Sequence, residues 1–259
     1  MNETHYLIEM SLQRSSVSSF DEYPFCLSSV RNLTTTRFHP AVTFFIGENG
    51  SGKSTLLEAI AIACGFNPEG GSKNFRFGSR PSHSELHEHL RLVRGVARPR
   101  DGFFFRAESF YNFATEIERM DGSADIPPTC PDPPIISRYG GKSLHEQSHG
   151  ESFMSLFMNR FGGQGLYILD EPEAALSPLR QMSLVARLHQ LVQRRSQFLI
   201  ATHSPIIMAY PNANILQLTA QGIIRVSYTE TEYYTLTKAF LNKHEMMLRE
   251  LMEDSDNPD

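Results

Sequence analysis

Gly47-Glu48-Asn49-Gly50-Ser51-Gly52-Lys53-Ser54, continued by Thr55, decides the fold of this chain. The octapeptide fits G-x-x-x-x-G-K-[ST] and lies between two periodic segments. Before it, Ala41 to Ile46 is almost wholly apolar, as a strand buried on both faces would be. After it, Thr55 to Cys64 (TLLEAIAIAC) has helical apolar spacing, and Gly65 stands where a helix would stop. Strand, glycine-rich turn and helix in that order make a cradle for phosphate groups. The glycines let backbone N–H groups turn inward, and the helix start adds the positive end of its dipole. Lys53 is then placed against β- and γ-phosphates, and the Ser54 hydroxyl against Mg²⁺.

Two further strands are expected to end in polar groups. Leu166-Tyr167-Ile168-Leu169-Asp170-Glu171 is an apolar run closed by two carboxylates. Ligands bind at the carboxyl edge of a parallel sheet, so both acids would face the phosphates. Asp170 can hold Mg²⁺, directly or through water, and Glu171 can polarise an attacking water. Phe198 to Ala201 leads likewise into Thr202-His203-Ser204-Pro205. His203 would hydrogen-bond the γ-phosphate and the same water, although a capping segment before the next helix explains these letters as well. Pro178 to Arg194 reads as an amphipathic crossover helix, and Tyr6 to Leu12 as another β-prone run. This alternation implies an α/β chain with a mostly parallel central sheet.

With 259 residues, 40% of them apolar, one large domain spanning 1–259 is expected. Its nucleotide-binding lobe would comprise about 1–65 and 161–232, a middle lobe about 66–160, and a last helix about 233–253. Asp121 to Pro134 holds five prolines and reads as a loop. The formal charge of −5 gives no global basic field, so charge does not argue for a nucleic-acid partner, and a local basic patch stays open. Three cysteines at unrelated spacings suit a reducing compartment. No basic stretch leads into a long apolar run near Met1, so a cytoplasmic protein without membrane insertion is expected.

Taken together, GENGSGKST (Gly47 to Thr55), LYILDEPEAALS (Leu166 to Ser177) and ATHSP (Ala201 to Pro205) resemble the ABC ATPase superfamily. The resemblance is to its soluble, non-transporter branch, with SMC-like and DNA-repair members and compact AAA-family predicted ATPases of bacteria. It implies a P-loop NTPase fold with a helical signature lobe. It further implies ATP and Mg²⁺ as ligands and ATP hydrolysis, with Glu171, His203 and Lys53 catalytic. Gly47, Asn49, Gly50, Ser51, Gly52, Lys53, Ser54 and Thr55 would bind the nucleotide, and Ser54 and Asp170 the metal. It implies an ATP-dependent homodimer acting on an unknown protein partner, in a role near DNA such as repair or genome defence.

The superfamily's signature, usually Leu-Ser-Gly-Gly-Gln, contacts ATP held by the opposite subunit. Gly162-Gly163-Gln164-Gly165 is closer in letters, but it leaves no room for a following helix and reads as a turn. Ser148, Gly150 and Glu151 precede a helix-like run, Ser152 to Arg160, and take the signature role, with His149 in place of the usual first glycine. The Q-loop glutamine has no match, because no Gln occurs between Ser54 and Glu146; Glu108 is its nearest replacement for holding the metal's water, and a plain strand with a salt-bridged Arg106 explains the segment Phe103 to Phe110 almost as well. The D-loop segment Ala174-Ala175-Leu176-Ser177 lacks the usual aspartate. Tyr23, Phe25 and Phe38 are each available to stack on adenine. His83, His87 and His89 read as a solvated helix face rather than a zinc site. Two rival functions stand beside an ATP-driven switch: the energy subunit of a membrane transporter, and an ATP-dependent binding module with little turnover.

Overall fold

Val42–Ile46 forms a strand in which every residue is buried, and the glycine-rich turn leads from it into a helix over Lys53–Ala63. The computed structural model describes residues 5–73, 84–122, 137, 141 and 148–253. In chain order the elements are β1 (Leu7–Leu12), α1 (Ser28–Arg31), β2 (Thr36–Arg37), β3 (Val42–Ile46), α2 (Lys53–Ala63), α3 (Leu86–His89), β4 (Leu90–Arg94), β5 (Asp101–Arg106) and α4 (Phe110–Gly122). There follow α5 (His149–Asn159), β6 (Gly165–Asp170), α6 (Pro178–Gln193), β7 (Gln197–Ala201), α7 (Pro205–Met208), β8 (Asn214–Thr219), β9 (Gly222–Val226) and α8 (Glu232–Glu253).

Six strands make the main sheet in the order β5-β6-β7-β3-β8-β9. All neighbours are parallel except the β8–β9 hairpin, so the α/β class with a mostly parallel sheet holds. The register aligns Phe45 with Ala201, Ala201 with Asp170, and Asp170 with Arg106. One edge of the sheet therefore collects the carboxyl ends of β3, β7, β6 and β5. A second, antiparallel sheet has the order β2-β1-β4.

α2 lies between the two sheets. Leu56, Leu57, Ala59, Ile60 and Ala61 are all buried, in one cluster with Leu7 and Met10 of β1 and with Phe104, Ile168 and Leu199 of the main sheet. Apolar side chains on all sides suit a helix covered on both faces. The opposite face carries α5 and α6 through Phe153, Phe157, Leu184 and Leu188. Phe161 stacks on Tyr167 with ring centroids 4.3 Å apart, and the buried Tyr167 hydroxyl donates to Asp101 Oδ2 at 2.8 Å.

Several sequence expectations need correction. Residues 90–106 do not belong to a separate middle lobe: β4 pairs with β1, and β5 is the edge strand of the main sheet beside β6. Three adjacent phenylalanines, Phe103 to Phe105, drive that placement, because all three are buried. Asp121 and Gly122 lie in α4 rather than in a loop, and the proline-rich remainder falls outside the described residues. His87 and His89 sit in the short α3, where His89 meets the Phe25 ring edge-on at 5.0 Å; His83 and Cys130 lie outside the described residues. Among the described residues, no helix is long and apolar enough to cross a membrane.

The two sheets are joined by one buried amide. Gln197, the first residue of β7, accepts from the backbone N–H of Tyr6 at 3.1 Å and of Leu7 at 2.8 Å, and donates to Leu7 O at 2.8 Å and His39 O at 2.9 Å. Every hydrogen-bonding site on the side chain is occupied, which a group with no access to water requires. Gln197→Ala strands four backbone groups at once. Urea unfolding is expected to show a loss of about 3 kcal/mol or more, since each orphaned buried group costs about 1–3 kcal/mol.

Candidate active site

Gly52 caps α2 with φ 95°, and an added Cβ would meet Ser29 Oγ at 2.9 Å, so only glycine serves there. A hollow of about 560 Å³ opens beside the glycine-rich turn, lined by Gly47 to Ser51, Leu27 to Ser29, Gln217 to Ala220 and Tyr233. Lys53 is buried, and its ammonium donates to Gly47 O at 2.8 Å and Glu48 O at 2.9 Å. Burial lowers its pKa, against the pull of the nearby Glu171, Asp170 and Glu173 carboxylates. The cation is thus held at the mouth of the turn by carbonyls that phosphate oxygens can replace.

The carboxyl edge behaves as the parallel register requires. Ser54 Oγ donates to Asp170 Oδ1 at 3.1 Å. Asp170 is buried, which pushes its pKa up to about 7; Arg106 and the Ser54 hydroxyl oppose the rise, and Glu171 and Glu108 add to it. A buried carboxylate and a hydroxyl, both oxygen donors and both beside the phosphate cradle, suit Mg²⁺, which takes one or two carboxylates and leaves its other positions to phosphates and water. Glu171 follows with left-handed backbone (φ 51°, ψ 54°), and its N–H donates to Ala201 O at 3.0 Å. That turn lifts its side chain out of the sheet, where it is partly exposed.

His203 stands across from it, with Nε2 3.3 Å from Glu171 Oε1. The Nδ1 atom lies 2.8 Å from the Tyr233 hydroxyl, which donates to Gly47 O at 2.8 Å. With its proton directed to Gly47, Tyr233 accepts the Nδ1–H of the imidazole, which leaves Nε2 on the side of Glu171. The His203 backbone N–H donates to Glu173 Oε1. Glu171, His203, Tyr233 and the glycine-rich turn are therefore one connected array.

Glu108 follows β5 at the same edge. It is exposed and lies 3.6 Å from Arg106, whose other terminal nitrogen pairs with Glu58 of α2. Phe25 and Phe38 are buried in the core, whereas Tyr23 is exposed, with its hydroxyl 3.1 Å from Thr55 Oγ1. Ser148 caps α5 in a reciprocal box: Glu151 N–H donates to Ser148 Oγ, and the Glu151 carboxylate accepts from Ser148 N–H at 3.1 Å and Ser148 Oγ at 2.8 Å. Glu151 also pairs with Arg180 at 3.1 Å. A Cβ on Gly150 would lie 2.4 Å from Ala175 O, so α5 begins flush against the segment that follows Glu171. No hydrogen bond or ion pair among the described residues joins Ser148, Gly150 or Glu151 to the glycine-rich turn of its own chain. Gly163 and Gln164 both have positive φ (98° and 50°), as a turn requires.

Two family models match in succession. One, described as "AAA domain", covers residues 25–102; the other, described as "AAA domain, putative AbiEii toxin, Type IV TA system", covers 143–209. The first holds the glycine-rich turn and the second both carboxylates and His203. AAA-domain models thus match the two stretches that hold the P-loop and the carboxylate pair. No curated protein matches it. Among solved structures, the SMC head domain from Thermotoga maritima is 15% identical, with 86% of this chain and 99% of that chain covered and a TM-score of 0.43. CbiO1 from Clostridium perfringens, part of the ABC transporter complex cbiONQ, is 18% identical, with 96% and 99% covered and a TM-score of 0.49. Likenesses of this size add nothing to what the residues themselves say.

Sequence reasoning missed Tyr233, because nothing local marks a tyrosine at the start of a late helix as a neighbour of the glycine-rich turn. Tyr233→Phe removes the hydroxyl and keeps the ring. Steady-state ATP turnover is expected to fall about tenfold in kcat with little change in KM, the size of effect seen when the partner that orients an imidazole is lost.

Proposed function

We propose that this ATPase hydrolyses ATP to ADP and phosphate in a Mg²⁺-dependent reaction and cycles between monomer and homodimer as it does so. The array of Glu171, His203 and Tyr233 over the glycine-rich turn carries the proposal, because a nucleotide-storage site has no need of a carboxylate and an imidazole aimed at one point above the γ-phosphate position. Backbone N–H groups of Gly50 to Lys53 and the Lys53 ammonium hold the β- and γ-phosphates. Ser54 and Asp170 would hold Mg²⁺, with Glu108 at the same edge placed to take one of its waters. When bound, the metal neutralises charge developing on the bridging oxygens. Glu171 accepts a hydrogen bond from the attacking water and raises the electron density on its oxygen. With Nδ1–H given to Tyr233, the lone pair of His203 Nε2 accepts the second hydrogen of the attacking water. The water oxygen bonds to γ-phosphorus and gives one proton to the Glu171 carboxylate as the bond to the β,γ-bridging oxygen breaks, and ADP leaves with that electron pair.

Ser148, Gly150 and the amide groups at the start of α5 are proposed to meet the γ-phosphate of a nucleotide held by a second copy. The lack of any link to their own glycine-rich turn supports this, as does the flush packing of Gly150 on the segment after Glu171. Tyr23, exposed beside Thr55, is the aromatic best placed for adenine. The output would be a switch on a protein partner, in repair or genome defence if the resemblance extends that far. The transporter-subunit reading has no specific support in these residues.

Glu171→Gln keeps side-chain size but removes the charge that orients the water. Turnover should fall by at least about a hundredfold, while ATP binding survives. Light scattering after size exclusion should then give a dimer with ATP and Mg²⁺ and a monomer with ADP; an inactive variant that stays monomeric at high protein concentration would end the shared-site reading. Ser148→Arg should leave ATP affinity of the monomer near wild type and abolish turnover, measured by equilibrium dialysis and phosphate release.

A further inference from the structure

The edge of the main sheet opposite the nucleotide has its own chemistry. Three loops enter the amino ends of adjacent parallel strands there: Gly95 to Arg100 before β5, Gly162 to Gln164 before β6, and Arg194 to Ser196 before β7. They are tied to one another by backbone hydrogen bonds, Arg100 N–H to Gln164 O at 2.9 Å and Gln164 N–H to Arg194 O at 2.8 Å. Tyr6 fastens the last of them, its hydroxyl donating to Arg195 O at 2.8 Å. The result is a rib of fixed backbone crossing two strand spacings, about 10 Å.

Arg98, Arg100, Arg194 and Arg195 stand exposed on this rib, with Lys73 and Arg94 beside them. Two hollows flank it. One, of about 670 Å³, is lined by Arg100, Arg160, Arg194 and Arg195 among others. The other, of about 130 Å³, is lined by Lys73, Arg94 and Arg98 with Tyr6 and Cys64. Among the described residues, Asp101 is the one carboxylate lining either hollow, and it is bound to Arg160 at 2.8 Å and to Tyr167. No ion pair among the described residues neutralises Arg98, Arg100, Arg194 or Arg195. Arg187 shows the crowding: burial lowers its pKa first, and Arg194 lowers it further. A chain with a formal charge of −5 thus keeps a dense, positively charged rib on one edge.

We propose that this rib is a docking surface for the phosphodiester backbone of a nucleic acid. Guanidinium forks match phosphate oxygens two at a time, and the fixed loops spare the backbone's share of the ordering cost at the moment of binding. An extended polyanion fits a line of cations with hollows on both sides. Stable seating on a bilayer draws on apolar insertion as well as charge, and between Arg94 and Asp101 the one large apolar side chain exposed is Val96. An acidic peptide would need apolar anchor pockets, and the larger hollow is lined by arginine, glutamine, glycine and Asp101. The surface faces away from Lys53 and Asp170, so this proposal does not rest on turnover, and contacts to phosphates here leave the nucleotide site free.

The test is fluorescence anisotropy of the full chain with a short labelled duplex DNA of arbitrary sequence, and with one of its strands alone, between about 50 and about 200 mM salt. Binding that weakens steeply with salt is expected for one or both. The charge-reversed variant Arg98→Glu/Arg194→Glu/Arg195→Glu should lose at least about tenfold in affinity and flatten the salt slope by about 2 to 3. Arg225→Glu/Lys238→Glu/Arg249→Glu makes the same change in net charge on exposed positions of β9 and α8, and should retain most of the affinity. ATP binding by both variants, measured in parallel, reports that each is folded. Absence of binding by wild type at the lowest salt, or equal loss in the two variants, would overturn the proposal. So would retention on phosphatidylserine vesicles without any retention on the oligonucleotides, which would assign the rib to a membrane surface instead.

Discussion

Everything functional in this chain depends on the parallel register of β5, β6, β7 and β3. Because Phe45, Ala201, Asp170 and Arg106 align across four strands, the loops that follow them are forced into one row. The glycine-rich turn, Glu171 and His203 come from distant parts of the sequence, yet no separate device is needed to bring them together. The same constraint acts on the other end. Strands that run together also begin together, so the loops that precede β5, β6 and β7 form a second row, and the two rows carry opposite charge. One edge concentrates Asp170, Glu171 and Glu173 around a single buried lysine; the other concentrates arginines.

Opposite polarity at the two ends has an electrostatic consequence. A nucleoside triphosphate bound as proposed would enter an acidic neighbourhood and be held there by Lys53, backbone amides and a divalent cation rather than by the general field. Polyanions without those specific partners are repelled from that edge and attracted to the far one. Net charge conceals this, since it adds the two ends together.

The sequence was readable where local pattern and tertiary role coincide. β3, β6 and β7 are compact apolar runs of the length and composition that a doubly covered strand needs, and α2, α6 and α8 keep helical spacing. Given a parallel sheet, the positions of Lys53, Asp170 and His203 follow from strand ends alone. Other features depend on partners far along the chain. Tyr233 lies 30 residues from His203 and 186 from Gly47, and no spacing rule connects them. β5 falls within the middle lobe that the sequence suggests because its neighbours in sequence are polar, although Phe103 to Phe105 carry the contrary signal. Ser148 and Glu151 match a phosphate-contacting signature in sequence, and they also form a capping box, which accounts for both letters through helix initiation. The arginine rib escaped because its members are divided between residues 94–100 and 194–195.

Gln197 bears on how the molecule comes apart. Its amide is the hinge pin between β1 and the main sheet, sealed from water and bonded at both ends. A peripheral sheet held by exposed contacts can fray strand by strand, but one fastened through a buried four-way bond has no halfway state in which water replaces the lost partners. The amide protons of Tyr6 and Leu7, although near the chain's beginning, will therefore exchange with solvent on the slow timescale of global opening and not on that of a loose terminus.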